Sequence, residues 1–217
     1  AVVFIVFLPL TGTMALRGAG VLADIKGGLR YIWHEKHIFA ILLFTLFSVV
    51  LSMPYMFMLP IFVDDILKVG AKGMGILMSV SGIGAIAGSL TLASLPNKKR
   101  GLMLLVSSLL LGAALVGFSF SSWWYLSLGL IVFVGLGQSG RMTLASTLLQ
   151  YYTDDEYRGR VMSFYMMEWG LTSFATFSAG LITEAIGVQW AVGGFAIVLT
   201  LLSILALAFV PRLRSLD

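Results

Sequence analysis

The sequence predicts an all-α membrane protein: six transmembrane helices preceded by the end of another. Composition and segment length predict it. Of 217 residues, 59% are hydrophobic and 11% are charged, against roughly 25% charged in ordinary soluble domains. So few charges cannot cover a water-facing surface, and lipid must be part of the solvent. Six predominantly apolar segments then follow one another, each near the about 20 residues that a helix needs to cross hydrocarbon. Helices are expected because every backbone polar group in lipid must be satisfied within its own segment. The alternating ten-residue pattern of a membrane barrel is absent.

The opening run AVVFIVFLPLTGTMAL (1–16) is apolar and has no basic residue before it. It reads as the end of a truncated transmembrane helix rather than a signal peptide, which would start with a charged region. Residues 17–37 form a linker, and DIKGGLRYIWHEKH within it predicts an amphipathic surface helix with Leu29, Ile32 and Trp33 towards lipid. His34-Glu35-Lys36-His37 is not the HExxH of a zinc protease, because Ile38 stands four residues after His34. No metal and no cofactor is expected. Cysteine is absent, which excludes disulfides and thiolate metal sites.

Residues 38–217 carry the six spans, at 38–62, 73–95, 102–121, 124–149, 162–185 and 190–210. Pro54 and Pro60 are expected to kink or loosen the first. The second aligns Ser81, Gly84, Gly88 and Thr91, a small-residue face that lets another helix approach closely. The third and sixth are mostly aliphatic and read as lipid-facing and peripheral. Thr153-Asp154-Asp155-Glu156, between the fourth and fifth, matches a helix-starting capping box.

Sidedness follows from the basic residues. Eleven of the fourteen Lys and Arg lie in 17–37, PNKKRG, YRGR and the tail, two lie at Lys68 and Lys72, and Arg141 completes the set. Cytoplasmic loops carry the positive excess, so the tail and the linker are expected inside. This also accounts for the net charge of +4 as topology, and no nucleic-acid partner is needed.

The polar residues inside the spans carry the functional information. Thr45, Ser48, Ser52 and Tyr55 share one face of the first span, Gln138 and Arg141 lie one turn apart on the fourth, and Tyr165, Glu168 and Thr172 align on the fifth. An arginine at the centre of a span costs about 2.5–3.5 kcal/mol on insertion scales. Arg141 lies about 13 Å from the inner end of its helix and Glu168 about 9 Å, so an intramembrane pair is expected beside a water-filled cavity. A static pair that only sets helix register satisfies the same spacing. Met53, Met56 and Met58 fit an adaptable apolar pocket and equally ordinary packing. No nucleophile–base cluster occurs at a consistent depth, so an enzyme is not expected.

TLLQYYTDDEYRGRVMSFY (147–165), followed by a glycine-broken span, resembles the loop between the tenth and eleventh helices of the major facilitator superfamily. It is similar in particular to the bacterial transmembrane secretion effectors, the enterobactin exporter-like branch. DIKGGLRYIWHEKHI matches how these proteins enter their second half. The resemblance implies that the six spans are helices seven to twelve, the C-terminal half of a major facilitator fold, with 17–37 as the cytoplasmic linker. It implies a secondary active transporter moving a small amphipathic molecule, drug- or siderophore-like, outward by alternating access and proton antiport. Its partners would be membrane lipid, the substrate, protons and a missing N-terminal six-helix half. Its place would be the bacterial inner membrane, with the C-terminus cytoplasmic.

In that fold the seventh and tenth helices face the central cavity. Thr45, Ser48, Ser52, Tyr55, Gln138, Arg141, Tyr165, Glu168 and Thr172 would line it, and Arg158 and Arg160 would latch the cytoplasmic gate. PNKKRG lacks the aspartate common in the family's loop between the eighth and ninth helices, so a charge relay there is not expected. Two rivals stay open: an importer on the same fold, and a non-transporting accessory half.

Overall fold

The computed structural model describes residues 21–95 and 98–216, and the apolar run 1–16 lies outside them. The described residues are almost wholly helical: α1 (Val21–His34), α2 (Lys36–Ser52), α3 (Pro54–Ile61), α4 (Gly70–Ser94), α5 (Arg100–Phe120), α6 (Trp124–Tyr152), α7 (Arg158–Ile186), α8 (Val188–Phe209) and α9 (Pro211–Arg214). Helix α2, helix α3 and a π-helical turn at Phe62–Ile66 run on as one apolar span, Lys36–Ile66. Its break falls at Met53, where Pro54 opens α3. Pro60 sits inside α3 and lacks the N–H that would extend the ladder.

Among the described residues, five units are long and apolar enough to cross a membrane: Lys36–Ile66, α4, α5, α6 and α8. Six were expected. Helix α7 has the length, 29 residues, but its polar content, including Glu168, Thr172, Thr176 and Thr183, keeps it less apolar than the others.

Helix α6 holds the bundle together through backbone contact. Gly84 and Gly88 of α4 lie against the backbone of Val132 and Leu136, and a Cβ on Gly88 would stand 2.9 Å from the Leu136 carbonyl oxygen. Gly135 reciprocates against Ser81, and Gly137 and Gly140 bring α6 onto α5. The small-residue face of α4 is therefore a helix-packing seam, while Ile83, Ile86 and Leu90 stay exposed on its far side. Helix α5 departs from the expectation of a lipid-wrapped helix. It is enclosed by α6, α8 and the tail, with Leu104, Leu105, Leu111 and Leu115 buried. An apolar helix is as much at home in a core as in lipid. Helix α8 does present a lipid-type stripe, with Val198, Leu201 and Leu205 exposed.

Two apolar clusters divide the core. One gathers Tyr55, Phe62, Leu111, Phe118, Val134 and Leu199, the other Phe44, Leu105, Leu144, Tyr165, Ala206 and Leu213. Helices α2, α5, α6 and α8 each pass from one cluster to the other through polar residues: Thr45–Ser52, Ser108, Gln138–Arg141 and Ser203 respectively. Helix α7 adds Glu168 and Thr172 next to Tyr165. A polar layer thus crosses the middle of the bundle.

Helix α1 is amphipathic as expected, with Leu29 and Trp33 exposed, but Ile32 turns inward and packs in the second cluster. Its segment is docked on the bundle, so its most central apolar residue is consumed by protein rather than lipid.

Candidate functional site

Thr45, Ser48 and Ser52 recur at three and four residues along α2 and are all buried, as the common face requires. Thr45 donates its hydroxyl to Glu168 Oε1 of α7 at 2.8 Å, with the Leu42 carbonyl an alternative acceptor at 3.0 Å. Glu168 is 4% exposed, and its second oxygen has no hydrogen-bond partner. Arg141 is fully buried on α6. Its Nη2 donates to Gln138 Oε1 at 3.5 Å, and its Nε and Nη1 have no partner.

The expected direct pair of Arg141 and Glu168 is not formed, since none of their nitrogens and oxygens meet within 4.0 Å. Each charge instead takes a neutral neighbour: Thr45 satisfies one carboxylate oxygen and Gln138, one turn back on the same helix, takes the guanidinium. The two remain within electrostatic reach of each other and of Tyr165. Ser48 and Ser52 Oγ are also buried without partners. More than nine in ten buried polar groups are normally satisfied, so this layer concentrates unused hydrogen-bonding capacity.

The remaining candidates divide. Tyr165 and Thr172 are buried beside Glu168, and Thr172 spends its hydroxyl on the Trp169 carbonyl of its own helix at 2.6 Å. Tyr55 and Gln138 reach a different place, an open cleft of about 510 Å³ between α2–α3, α4, α6 and α7. Met53, Met56, Met142 and Trp169 line it with them, and Ser81 and Ser139 add hydroxyls. Gln138 joins the two places through its side chain, facing the cleft while accepting from Arg141.

Met142, Ser139 and Trp169 were not singled out from the sequence. Met142 lies one turn from Gln138, which is the signal that could have found it; Trp169 has none beyond following Glu168. Of the three methionines, Met53 and Met56 line the cleft, whereas Met58 is buried and accepts from Thr183 Oγ1 at 3.7 Å.

The loop between α6 and α7 is built otherwise than a capping box. Thr153 Oγ1 donates back to the Leu149 carbonyl at 2.5 Å, closing the end of α6, and α7 starts only at Arg158 after Tyr157, without a side-chain cap. Arg158 makes a local pair with Asp155 at 2.6 Å. Arg160 reaches α1, pairing with Asp24 at 2.7 Å. Beside it the Tyr31 and Tyr157 rings stack at 4.2 Å, Tyr31 donates to Asp154 Oδ2 at 3.1 Å, and the Asp154 N–H donates to the Tyr31 oxygen at 3.2 Å. Burial, together with the Asp154 carboxylate, raises the Tyr31 hydroxyl above its ordinary pKa, so it stays a donor. The two histidines take no part: His34 Nδ1 lies 2.9 Å from the Arg30 carbonyl, and the His37 ring faces Tyr152.

A family model described as Major Facilitator Superfamily matches residues 38–216. No curated protein matches the chain.

Proposed function

The chain belongs to the major facilitator superfamily of membrane transporters, and on that premise we propose that it supplies one half of a secondary active exporter. The substrate is a small amphipathic molecule, drug- or siderophore-like, moved outward by alternating access in exchange for protons. A second six-helix half completes the pathway, and the protein sits in a bacterial inner membrane with the basic loops and tail inside.

The observation that carries this reading is the position of Gln138. It borders a cleft of methionine, aromatic and hydroxyl side chains and also holds the buried Arg141. Cleft size falls within the 300–1,000 Å³ of small-molecule sites, and thioether and aromatic walls suit a bulky apolar body while the amide and hydroxyls orient its polar groups. Behind it, Arg141, Glu168, Ser48 and Ser52 hold hydrogen-bonding groups that have no fixed partner. Intramembrane ionisable groups of this kind mark substrate and proton pathways. A substrate in the cleft acts on Gln138, and through it on the hydrogen bond that Arg141 donates. By pairing with Asp24 of α1, Arg160 ties the cytoplasmic linker to the start of α7, so movement of α7 is transmitted to the linker between the halves.

The test uses the complete transporter in inside-out vesicles. Energising the vesicles with a proton gradient drives accumulation of an amphipathic dye, and Gln138→Leu lowers that accumulation. Uptake in the opposite sense would replace the exporter by an importer, and no flux in either sense would leave an accessory half.

A further inference from the structure

We infer that the substrate of the cleft is an amphipathic organic anion, and that Arg141 selects it through Gln138. The inference rests on the reading of the cleft as the substrate's path, and it names the charge that this path accepts.

The first ground is unspent positive charge. Arg141 is 0% exposed, and its Nε and Nη1 meet no hydrogen-bond acceptor. A guanidinium stays protonated inside a protein and offers five N–H donors and no acceptor. Nη2 makes the 3.5 Å bond to Gln138 Oε1, and among the described residues no carboxylate oxygen lies within 4.0 Å of the group. Glu168, the acid of its layer, accepts from Thr45 instead. A buried cation left uncompensated is costly, and a charged acceptor that comes within reach makes the stronger kind of hydrogen bond with it.

The second ground is access, because layer and cleft adjoin on three helices. On α2 the unpartnered Ser52 precedes Met53 of the cleft wall, and on α7 Glu168 precedes Trp169. On α6, Gln138, Ser139 and Met142 of the wall surround Arg141 in sequence. At 3.6 residues per turn Arg141 falls about 60° from Gln138, at the rim of the stripe that α6 turns to the cleft.

The third ground is the sign of the wall. Among the described residues it contains no charged side chain, so a cationic substrate finds no counter-charge there. Gln138 gives its carbonyl oxygen to the guanidinium, which leaves the amide nitrogen, a donor only, to serve the cleft. Hydrogen bonds in series polarise one another, so an anion accepting from this amide is bound by the positive charge behind it. The methionine and tryptophan side chains take the apolar body.

The experiment uses the complete transporter purified in detergent and three probes built on one fluorophore. Dansylaminocaproate is anionic, its methyl ester neutral and dansylcadaverine cationic, and binding is read from dansyl fluorescence. The anion is expected to bind about tenfold or more tighter than the other two. Arg141→Gln should remove that preference by weakening the anion alone, with the ester unchanged, and Arg141→Lys should keep most of it. Loss of ester and anion together would make Arg141 a structural residue and overturn the proposal. Equal binding of the three probes, tighter binding of dansylcadaverine, or binding of none overturns it too. Should the Arg141 variants fail to accumulate, Gln138→Glu replaces the donor with a negative charge. Anion binding should then fall and that of dansylcadaverine rise, and an unchanged order overturns the proposal. Flux is scored separately in energised inside-out vesicles. Accumulation of dansylcadaverine without the anion keeps the exporter and overturns the anionic substrate, whereas tight, Arg141-dependent anion binding without accumulation supports the anion site and overturns the exporter.

Discussion

Thr45 of α2 donates to Glu168 of α7 at 2.8 Å across the middle of the bundle, while Arg141 turns to Gln138 on its own helix. The charged groups share one layer without touching. A direct pair would lock α6 to α7. A threonine hydroxyl between α2 and α7 is a neutral contact that exchanges acceptors easily, having the Leu42 carbonyl at 3.0 Å as its alternative. The layer is thus fixed by packing and only lightly tied by hydrogen bonds.

Thr45→Val should destabilise the protein by about 1–3 kcal/mol, because it keeps the shape and leaves Glu168 Oε1, like Oε2 already, unsatisfied in the interior. Thermal unfolding in detergent checks it. Thr45→Ser should retain most of the stability, and a valine variant as stable as the parent would show that Glu168 finds another donor at no cost.

How far the sequence reached depends on which force sets each feature. Five of the six spans and the polar faces of α2, α6 and α7 were legible because they follow from hydropathy and helical spacing, and Thr45, Ser48, Ser52, Arg141 and Glu168 are all buried. The Arg141–Glu168 pair was not, because depth along two helices says nothing of rotation or of the neutral residues that compete as partners. Thr153 shows the same limit: its motif suits a helix start, yet the hydroxyl meets the nearer carbonyl of Leu149. The enclosure of α5 was hidden for another reason. Leucine-rich sequence is identical whether it faces lipid or protein, and only the glycines at 112, 137 and 140 hint that backbones meet there.

Those glycine contacts make the second prediction. At Gly135 a Cβ would run into the Ser81 carbonyl of α4, where backbone cannot give way. Gly135→Val should destabilise by about 1–3 kcal/mol or more through overpacking. Gly170→Ala, with nothing within 4 Å of the added carbon, should not destabilise and fits the helical preference for alanine. Equal melting temperatures for the two variants would refute the seam.

A third concerns the cleft. The chain has no cysteine, so single cysteines at 138 and 142, placed in a complete transporter otherwise free of cysteine, report water access directly. Both should react with a membrane-impermeant thiol reagent from one side, and a transported substrate should protect them. Leu205→Cys, on the exposed stripe of α8, should stay unreactive. Silence at 138 and 142 from both sides would place the transport path elsewhere.

The last prediction separates the two parts of the α1 attachment. The Asp24–Arg160 pair is about a third exposed on both sides, and such pairs contribute about 1 kcal/mol or less and weaken with salt. The stacked Tyr31 and Tyr157 rings, with two hydrogen bonds to Asp154, bury apolar surface that salt does not screen. Hydrogen exchange of residues 24–34 should therefore rise modestly in Asp24→Asn and strongly in Tyr31→Ala. Raising the salt concentration should reproduce the first effect in the parent and leave the second variant unchanged. If Asp24→Asn released α1 as fully as Tyr31→Ala, the ion pair rather than the ring stack would hold the linker, and the coupling of α7 to α1 would be sensitive to ionic strength.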